Sequence, residues 1–143
     1  MRLVETSGAE PEVVYDSGGG VRIWVSDSIA FAGPAQSGDF LVTGSHGGVS
    51  AGEYATSFGV AVVVCNDAGI GKNRAGVAGL AAVSADGIAG IGVSHDTARI
   101  GDGTDGWEHG IVSYVNEVAQ RLGIRVGAPL REQLLELTAR KEW

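Results

Sequence analysis

Three polar clusters follow three apolar, β-prone segments, and they contain the residue types that acid–base chemistry needs. The first cluster is residues 45–48 (SHGG), the second is residues 66–69 (NDAG) and the third is residues 94–96 (SHD). If the segments before them are neighbouring parallel strands, the clusters share the carboxyl edge of one sheet, where open α/β sheets bind their ligands. Adjacent strands lie about 4.8 Å apart, so these side chains could meet around one small ligand.

The candidate catalytic residues are His46, Asp67 and His95. His46 is a candidate general base because the glycines that follow it expose its ring, although it could simply be bonded to the backbone of its own turn. Asp67 is its candidate partner or a second acid–base group, and the alternative is an Asx turn or a helix cap. His95 occupies the same position on the next strand and is the third candidate.

A further set of residues is predicted to hold the substrate: Ser45, Gly47, Gly48, Asn66, Lys72, Arg74, Ser94 and Arg99. Lys72 and Arg74 lie near a helix start, where free N–H groups favour anions, so the expected ligand carries a carboxylate or a single phosphate. The alternative is a glycine-rich turn with two solvated charges. Arg99 belongs either to a mobile lid or to a structural turn in which it pairs with Asp96 or Asp102.

The sequence argues against nucleotide and metal cofactors. The stretch around Lys72 has Asn66 where a phosphate-binding loop has its first glycine, and Asn73 where that loop has Ser or Thr. It also has Arg74 in place of the third glycine of a dinucleotide-binding loop. The three histidines and one cysteine form no closely spaced ligand pair of the kind that zinc sites use. We therefore expect no cofactor and no metal.

Composition limits the class of protein. The 143 residues are predicted to form one domain, with a formal net charge of −7 from 17 acidic and 10 basic residues. No basic patch of the kind that binds nucleic acid is present. No signal-peptide pattern and no run of about 20 apolar residues occurs, so we expect a soluble, cytoplasmic protein without membrane contact.

The spacing of apolar residues predicts the elements that position these clusters. A hairpin is predicted from residues 13–15 and 21–25, strands over 40–43, 60–64 and 88–93, and a short strand is compatible with 124–126. A capping box of Ser50 and Glu53 predicts a helix to about residue 58 that ends at Gly59. Further helices are predicted over about 73–84, closed by Gly87, and about 105–122, ended by Gly123.

A last amphipathic helix is predicted to begin with Pro129 in its first turn. Its apolar residues are Leu130, Leu134, Leu135 and Leu137. The alternation of strands and helices indicates an α/β fold: a three-layer sandwich with a mainly parallel sheet, Rossmann-like or flavodoxin-like in outline, plus an N-terminal β-hairpin.

Two resemblances rest on short motifs. SHGG followed by VVVCNDAG resembles the caspase-like peptidases, which implies a His46–Cys65 dyad, although the two motifs are closer together than in that family; the alternative is that Cys65 is a small core residue. The combination of SHGG, NDAGIGK and ARIGDG resembles a set of small bacterial proteins over residues 40–123. That resemblance implies no particular reaction or cofactor.

The sequence thus predicts a small enzyme with hydrolase-type acid–base chemistry on a carboxylate- or amide-bearing metabolite. The alternative is a non-catalytic anion-binding module or a subunit of a larger enzyme assembly. We also expect a homo-oligomer, because the apolar face of the last helix could be exposed and contact a second copy.

Overall fold

A computed structural model describes residues 10–140, and their strands form one six-stranded sheet. The strands are β1 (Glu12–Asp16), β2 (Arg22–Ser26), β3 (Phe40–His46), β4 (Val62–Asn66), β5 (Ala89–Val93) and β6 (Val112–Val115). They lie in the sheet in chain order, with β2 to β5 parallel and each outer strand antiparallel to its neighbour. The α/β class, the mostly parallel sheet and the N-terminal hairpin are therefore confirmed.

Five α-helices accompany the sheet in this part of the chain. They are α1 (Val49–Phe58), α2 (Ala78–Ala82), α3 (Gly103–His109), α4 (Glu117–Arg121) and α5 (Leu130–Ala139). Short 3-10 turns occupy Ile29–Phe31, Pro34–Gln36, Lys72–Arg74 and Val83–Asp86. None of these helices has the length and apolarity that crossing a membrane requires.

Residues of the central strands alternate between two apolar clusters. Val42 and Val64 pack in one cluster with residues of α3, α4 and α5, whereas Leu41 and Val63 pack in the other with residues of α1 and α2. All residues of β4 and β5 are buried. This agrees with the continuous apolar runs from which these strands were predicted, since such runs are typical of parallel strands covered on both faces.

The sequential strand order differs from the orders of the Rossmann and flavodoxin folds, in which the order reverses within the sheet. A sheet without a reversal has no topological switch point to mark its ligand site. The site must therefore be located from the side chains at the strand ends.

The prediction of one helix over residues 105–122 is wrong, because β6 lies between α3 and α4. The apolar residues of this range matched a helical spacing because Trp107, Val115 and Ala119 all pack in the same cluster. Strand β6 pairs with β5 and satisfies backbone groups that would otherwise be unpaired at that edge. Asn116 then begins α4 by accepting the backbone N–H of Ala119 (2.9 Å).

Other boundaries also differ from expectation. Gly48 caps α1 without a side-chain bond, so the Ser50–Glu53 capping box is wrong, whereas the left-handed caps at Gly59 and Gly87 are confirmed. The helix expected from residue 73 begins at Ala78, since left-handed backbone at Asn73 and Arg74 prevents an earlier start. Residues 124–126 form no strand, and Pro129 precedes the first turn of α5.

The apolar face of α5 is not available to a second copy of the chain. Leu130, Leu134 and Leu137 are completely buried in the cluster that covers one face of the sheet. The reason given above for a homo-oligomer therefore does not hold.

Glycines bring α1 and α2 unusually close. A Cβ atom on Gly79 would overlap the carbonyl oxygen of Gly48, and one on Gly52 would lie 2.7 Å from the carbonyl oxygen of Gly79. The two helices thus touch backbone to backbone, which sets the height of the α1 start above the sheet.

We expect Gly79→Ala to lower the free energy of unfolding by about 1–3 kcal/mol, because the added methyl group has no room. Chemical denaturation measures the change. Gly106→Ala in α3 is the matched control: its Cβ would meet only Val93 at 3.9 Å, so helix propensity should raise stability by up to about 1 kcal/mol. Equal effects of the two substitutions would contradict the close contact.

Candidate functional site

The carboxyl ends of β3, β4 and β5 bring the three polar clusters to one edge of the sheet. His46 is in register with Asn66, and Asn66 with Val93. Beyond the strands, the N–H of Gly47 donates to the carbonyl of Asn66 (3.1 Å) and that of Asp67 to the carbonyl of Val93 (2.8 Å). The backbones of all three clusters are therefore neighbours, as their sequence positions suggested.

Asp67 is the most highly connected side chain at this edge. Its residue is only 4% exposed. Oδ1 accepts the backbone N–H groups of Gly69 (2.7 Å) and His95 (3.1 Å), and Oδ2 accepts the hydroxyl of Ser113 (2.7 Å). One carboxylate thus connects the ends of β4 and β5 to the adjacent strand β6.

The hydrogen bonds keep Asp67 ionised. Burial on its own would raise the pKa of its carboxyl group, but the Ser113 hydroxyl, the two backbone N–H groups and the His95 ring together lower that pKa below the ordinary aspartate value. Asp67 therefore places a negative charge beneath the strand ends.

The His95 ring lies between two carboxylates. Its Nδ1 is 3.4 Å from Oδ1 of the buried Asp67, and its Nε2 is 3.3 Å from Oδ1 of the exposed Asp96. Gly69 lies under the ring, since a Cβ atom there would be 3.5 Å from Cε1. The half-exposed imidazole thus has a buried, fixed carboxylate beside Nδ1 and a solvent-exposed carboxylate beside Nε2. The fixed carboxylate at Nδ1 is the kind of partner that orients a general base.

The loop after Asp67 is held in an unfavourable conformation. Ala68, Ile70, Asn73 and Arg74 all have φ between 50° and 66°, a region that costs a non-glycine residue about 1–2 kcal/mol. For the β-branched Ile70 such a φ is particularly rare. Backbone strain of this kind is concentrated at functional sites, so the loop is a further indication that this edge carries function.

His46 lies at the same edge but does not pair with Asp67. Within residues 10–140 its ring forms no hydrogen bond or ion pair. It borders a separate hollow of about 360 Å³ between the ends of β2 and β3, together with Ser45 and residues of α1. The structure therefore brings Asp67 and His95 together and leaves the third predicted catalytic residue apart.

The glycines after His46 have packing roles. A Cβ atom on Gly47 would lie 2.8 Å from the carbonyl oxygen of Gly76 and from Leu80. A Cβ atom on Gly48 would lie 2.9 Å from Nε2 of His46, so this glycine leaves room for the ring. The absence of a side chain at both positions allows the turn from β3 into α1 to pack closely against Gly76, Leu80 and the His46 ring.

Three of the polar residues predicted to bind substrate are engaged within the protein. The Ser45 hydroxyl accepts the N–H of Ile29 (2.9 Å), and the Ser94 hydroxyl accepts the N–H of Asp96 (3.1 Å). The Asn66 amide donates to the carbonyl of Ala98 (2.9 Å) and accepts the N–H of Ala68 (2.8 Å). Asn66 and Ser94 thus hold the loops that carry Asp67 and His95, and Ser45 holds the turn after β2.

The basic residues are placed differently from one another. The guanidinium of Arg74 lies over the Tyr114 ring, 5.6 Å from its centre, whereas the Lys72 amine has no partner within the described residues. Arg99 forms no ion pair with Asp96 or Asp102 in this part of the chain, although its N–H donates to Asp105 (2.7 Å). The Arg99 guanidinium has no hydrogen bond or ion pair among the described residues, but its charge acts on Asp105, so Lys72 is the least engaged of the three.

The segment after His95 is tied to the sheet. The N–H of Gly101 donates to the carbonyl of Gly44 (2.7 Å), and that of Gly103 donates to Asp27 (3.0 Å). Asp102 caps α3 by accepting the N–H of Asp105 (3.0 Å). These bonds favour the structural turn over the mobile lid.

Cys65 is a core residue. It is completely buried, and burial raises the pKa of its thiol to about 11 despite the opposing effect of the Thr43 hydroxyl, which lies 3.5 Å from the sulfur. The dyad implied by the caspase-like resemblance is therefore absent. Within the described residues, no group of three or more His, Cys, Asp or Glu side chains could hold a metal ion.

Ser113 is the site residue that the sequence analysis missed. It was placed inside a long helix, where it could not reach Asp67. The β-branched and aromatic residues of the segment 111–115, bounded by Gly110 and Asn116, are the signal that could have revealed a strand beside β5.

Comparisons of the chain with protein-family models, with curated proteins and with solved structures found no match. The class is therefore defined by the molecule itself: an α/β protein with a sequentially ordered, mostly parallel sheet. An Asp67–His95–Ser113 cluster lies at the carboxyl edge of that sheet.

We expect the stability contribution of Asp67 to disappear in acid. Because the pKa of Asp67 is lowered on folding, its contribution is complete above the ordinary aspartate pKa of about 3.9 and is lost as pH falls through the lower folded value. The difference in unfolding free energy between wild type and Asp67→Asn should be largest near neutral pH and should decrease below about pH 4.

Urea denaturation across this pH range measures that difference. Ser113→Ala serves as the second variant: it removes one donor that lowers the folded pKa of Asp67, so the acid-dependent loss of stability should be smaller and should be complete at a higher pH. A difference that stays constant from neutral to strongly acidic pH would contradict the lowered pKa.

We expect Cys65 to be unreactive in the folded protein, because a buried thiol with a pKa of about 11 carries almost no thiolate near neutral pH. A chromogenic disulfide reagent should label it only after unfolding in guanidinium chloride. Labelling of the native protein at the rate of a free thiol would show that Cys65 is accessible.

Proposed function

We propose that the protein is a small hydrolase-type enzyme that acts on an amide- or carboxylate-bearing metabolite at the Asp67–His95 cluster. The observation that supports this proposal most directly is the position of the buried Asp67 carboxylate, 3.4 Å from Nδ1 of the half-exposed His95 imidazole. No cofactor is required for this chemistry. The sequence-based role of His46 as the base stays a prediction, which the variants below separate from the role of His95.

In the proposed reaction, His95 acts as the general base through Nε2. This nitrogen takes a proton from water, the resulting hydroxide attacks the amide carbonyl carbon, and the same nitrogen returns the proton to the departing amine. The negative charge of Asp67 stabilises the imidazolium that forms in between, and its position fixes the ring. Asp96, which is mostly exposed, can move away from Nε2 when substrate arrives.

The charges around His95 favour an amide over a free carboxylate as the reacting group. Asp67 and Asp96 already place two carboxylates beside the ring, and a third would be repelled. Lys72, which has no partner within the described residues, is the candidate to neutralise an anionic group elsewhere in the substrate.

The strained loop supports a catalytic role over a purely structural one. Four left-handed non-glycine residues within residues 68–74 cost stability that a simple turn would not need to lose. The alternative of a binding module or a subunit of a larger assembly, and the expected homo-oligomer, lack an equivalent observation. The two apolar clusters on alternate strand residues support the three-layer sandwich as the fold behind this site.

We expect His95→Gln to reduce turnover by about 100-fold or more, because general-base catalysis typically contributes that much. Wild type is first screened against a panel of small amides and carboxylates with detection of released amine. Asp67→Asn should also reduce turnover, since it removes the charge that stabilises the protonated ring.

His109→Ala is the matched control. His109 is exposed on α3 and, among the described residues, pairs only with Asp105 (3.0 Å), so its removal should leave turnover unchanged. Turnover that is lost in His46→Ala but survives in folded His95→Gln would assign the base to His46 and refute this proposal.

A further inference from the structure

The hollow beside His46 is distinct from the Asp67–His95 cluster. It has a volume of about 360 Å³ and lies between residues 27–30 after β2, residues 44–46 of β3, the first half of α1 and residues 100–101. This volume is in the range of small-molecule sites. Neither Asp67 nor His95 borders it.

The walls of the hollow are mainly apolar. Ile29, Ala30 and Ala51 line it from inside, and Ile100 and Tyr54 lie at its border with 52% and 40% of their surfaces exposed. Two large apolar side chains are therefore left in water around one concave surface. A ligand with an apolar body would cover them.

Three hydrogen-bonding side chains in the same hollow lack protein partners. Within residues 10–140, the His46 ring and the hydroxyls of Ser50 and Tyr54 form no hydrogen bond. Ser45, by contrast, uses its hydroxyl to hold Ile29. The position of the His46 ring depends on Gly48, whose missing side chain leaves it space. Apolar walls with a few unengaged polar groups are typical of binding pockets.

The charges around the hollow disfavour anionic ligands. The Asp27 carboxylate lies at its border, and the chain carries a net charge of −7, so an anion is disfavoured. An uncharged hydroxyl or amide group can donate to and accept from these polar side chains without that repulsion.

We propose that this hollow binds a compact molecule with an apolar body, one hydroxyl or amide group and no anionic group. The apolar body lies against Ile29 and Ile100, and the polar group bonds to His46, Ser50 and Tyr54. This binding does not depend on the reaction at His95, because the two groups of residues share no hydrogen bond.

The test titrates the full-length protein with 4-methylphenol and follows backbone amide resonances by NMR. We expect saturable shifts at residues 27–30, 44–51 and 100–101. His46→Ala should weaken binding about tenfold, since one hydrogen bond is lost. Ser50 is exposed, so Ser50→Leu should fill part of the hollow without disturbing the core. This variant should abolish binding while the remaining resonances show an intact fold.

His109→Ala is the matched control and should bind like wild type. A related probe tests the charge: 4-hydroxybenzoate carries the same ring with an anionic group. Tighter binding of 4-hydroxybenzoate than of 4-methylphenol would overturn the proposal, as would shifts that map elsewhere or persist in Ser50→Leu. Loss of turnover in His95→Gln has no bearing on these outcomes, so the two proposals fail separately.

Discussion

The arrangement of the functional edge depends on one buried carboxylate. Asp67 accepts hydrogen bonds from its own loop, from the residue after β5 and from β6. A charge so little exposed is tolerated only because these donors replace the water that it has lost. The same bonds fix the end of β5 against β4, so the position of His95 and the ionisation of Asp67 have a single cause.

The loop that follows Asp67 is compact because it is constrained on both sides. The N–H of Ile70 donates to the carbonyl of Asp67 (2.6 Å), and that of Gly76 donates to the carbonyl of Ile70 (2.8 Å). A side chain on Gly76 would overlap the Asp67 carbonyl oxygen. The chain can return this closely only through left-handed residues, so the strain and the fixed geometry of the site are two aspects of one turn.

The strands that the sequence predicted best are those whose residues are buried on both faces. The apolar runs of β3, β4 and β5 could be recognised without knowing which strands they pair with. The ends of these runs then indicated the positions of Asp67 and His95. Strand β6 was missed because its pattern also fits a helix and only pairing with β5 decides between them. The directions of the side chains could not be predicted either. No local feature of the sequence distinguishes His95, which lies beside Asp67, from His46, which borders another hollow.

The sequential order of the strands also affects how the chain can assemble. Each new strand pairs with the one made just before it, so the sheet can grow in the direction of synthesis. The apolar residues of β2 and β3 on one face, however, pack in the same cluster as Leu134 and Leu137 of α5, which are synthesised much later. Until α5 has left the ribosome, these apolar residues lack part of their packing, and we expect the nascent chain to bind chaperones there.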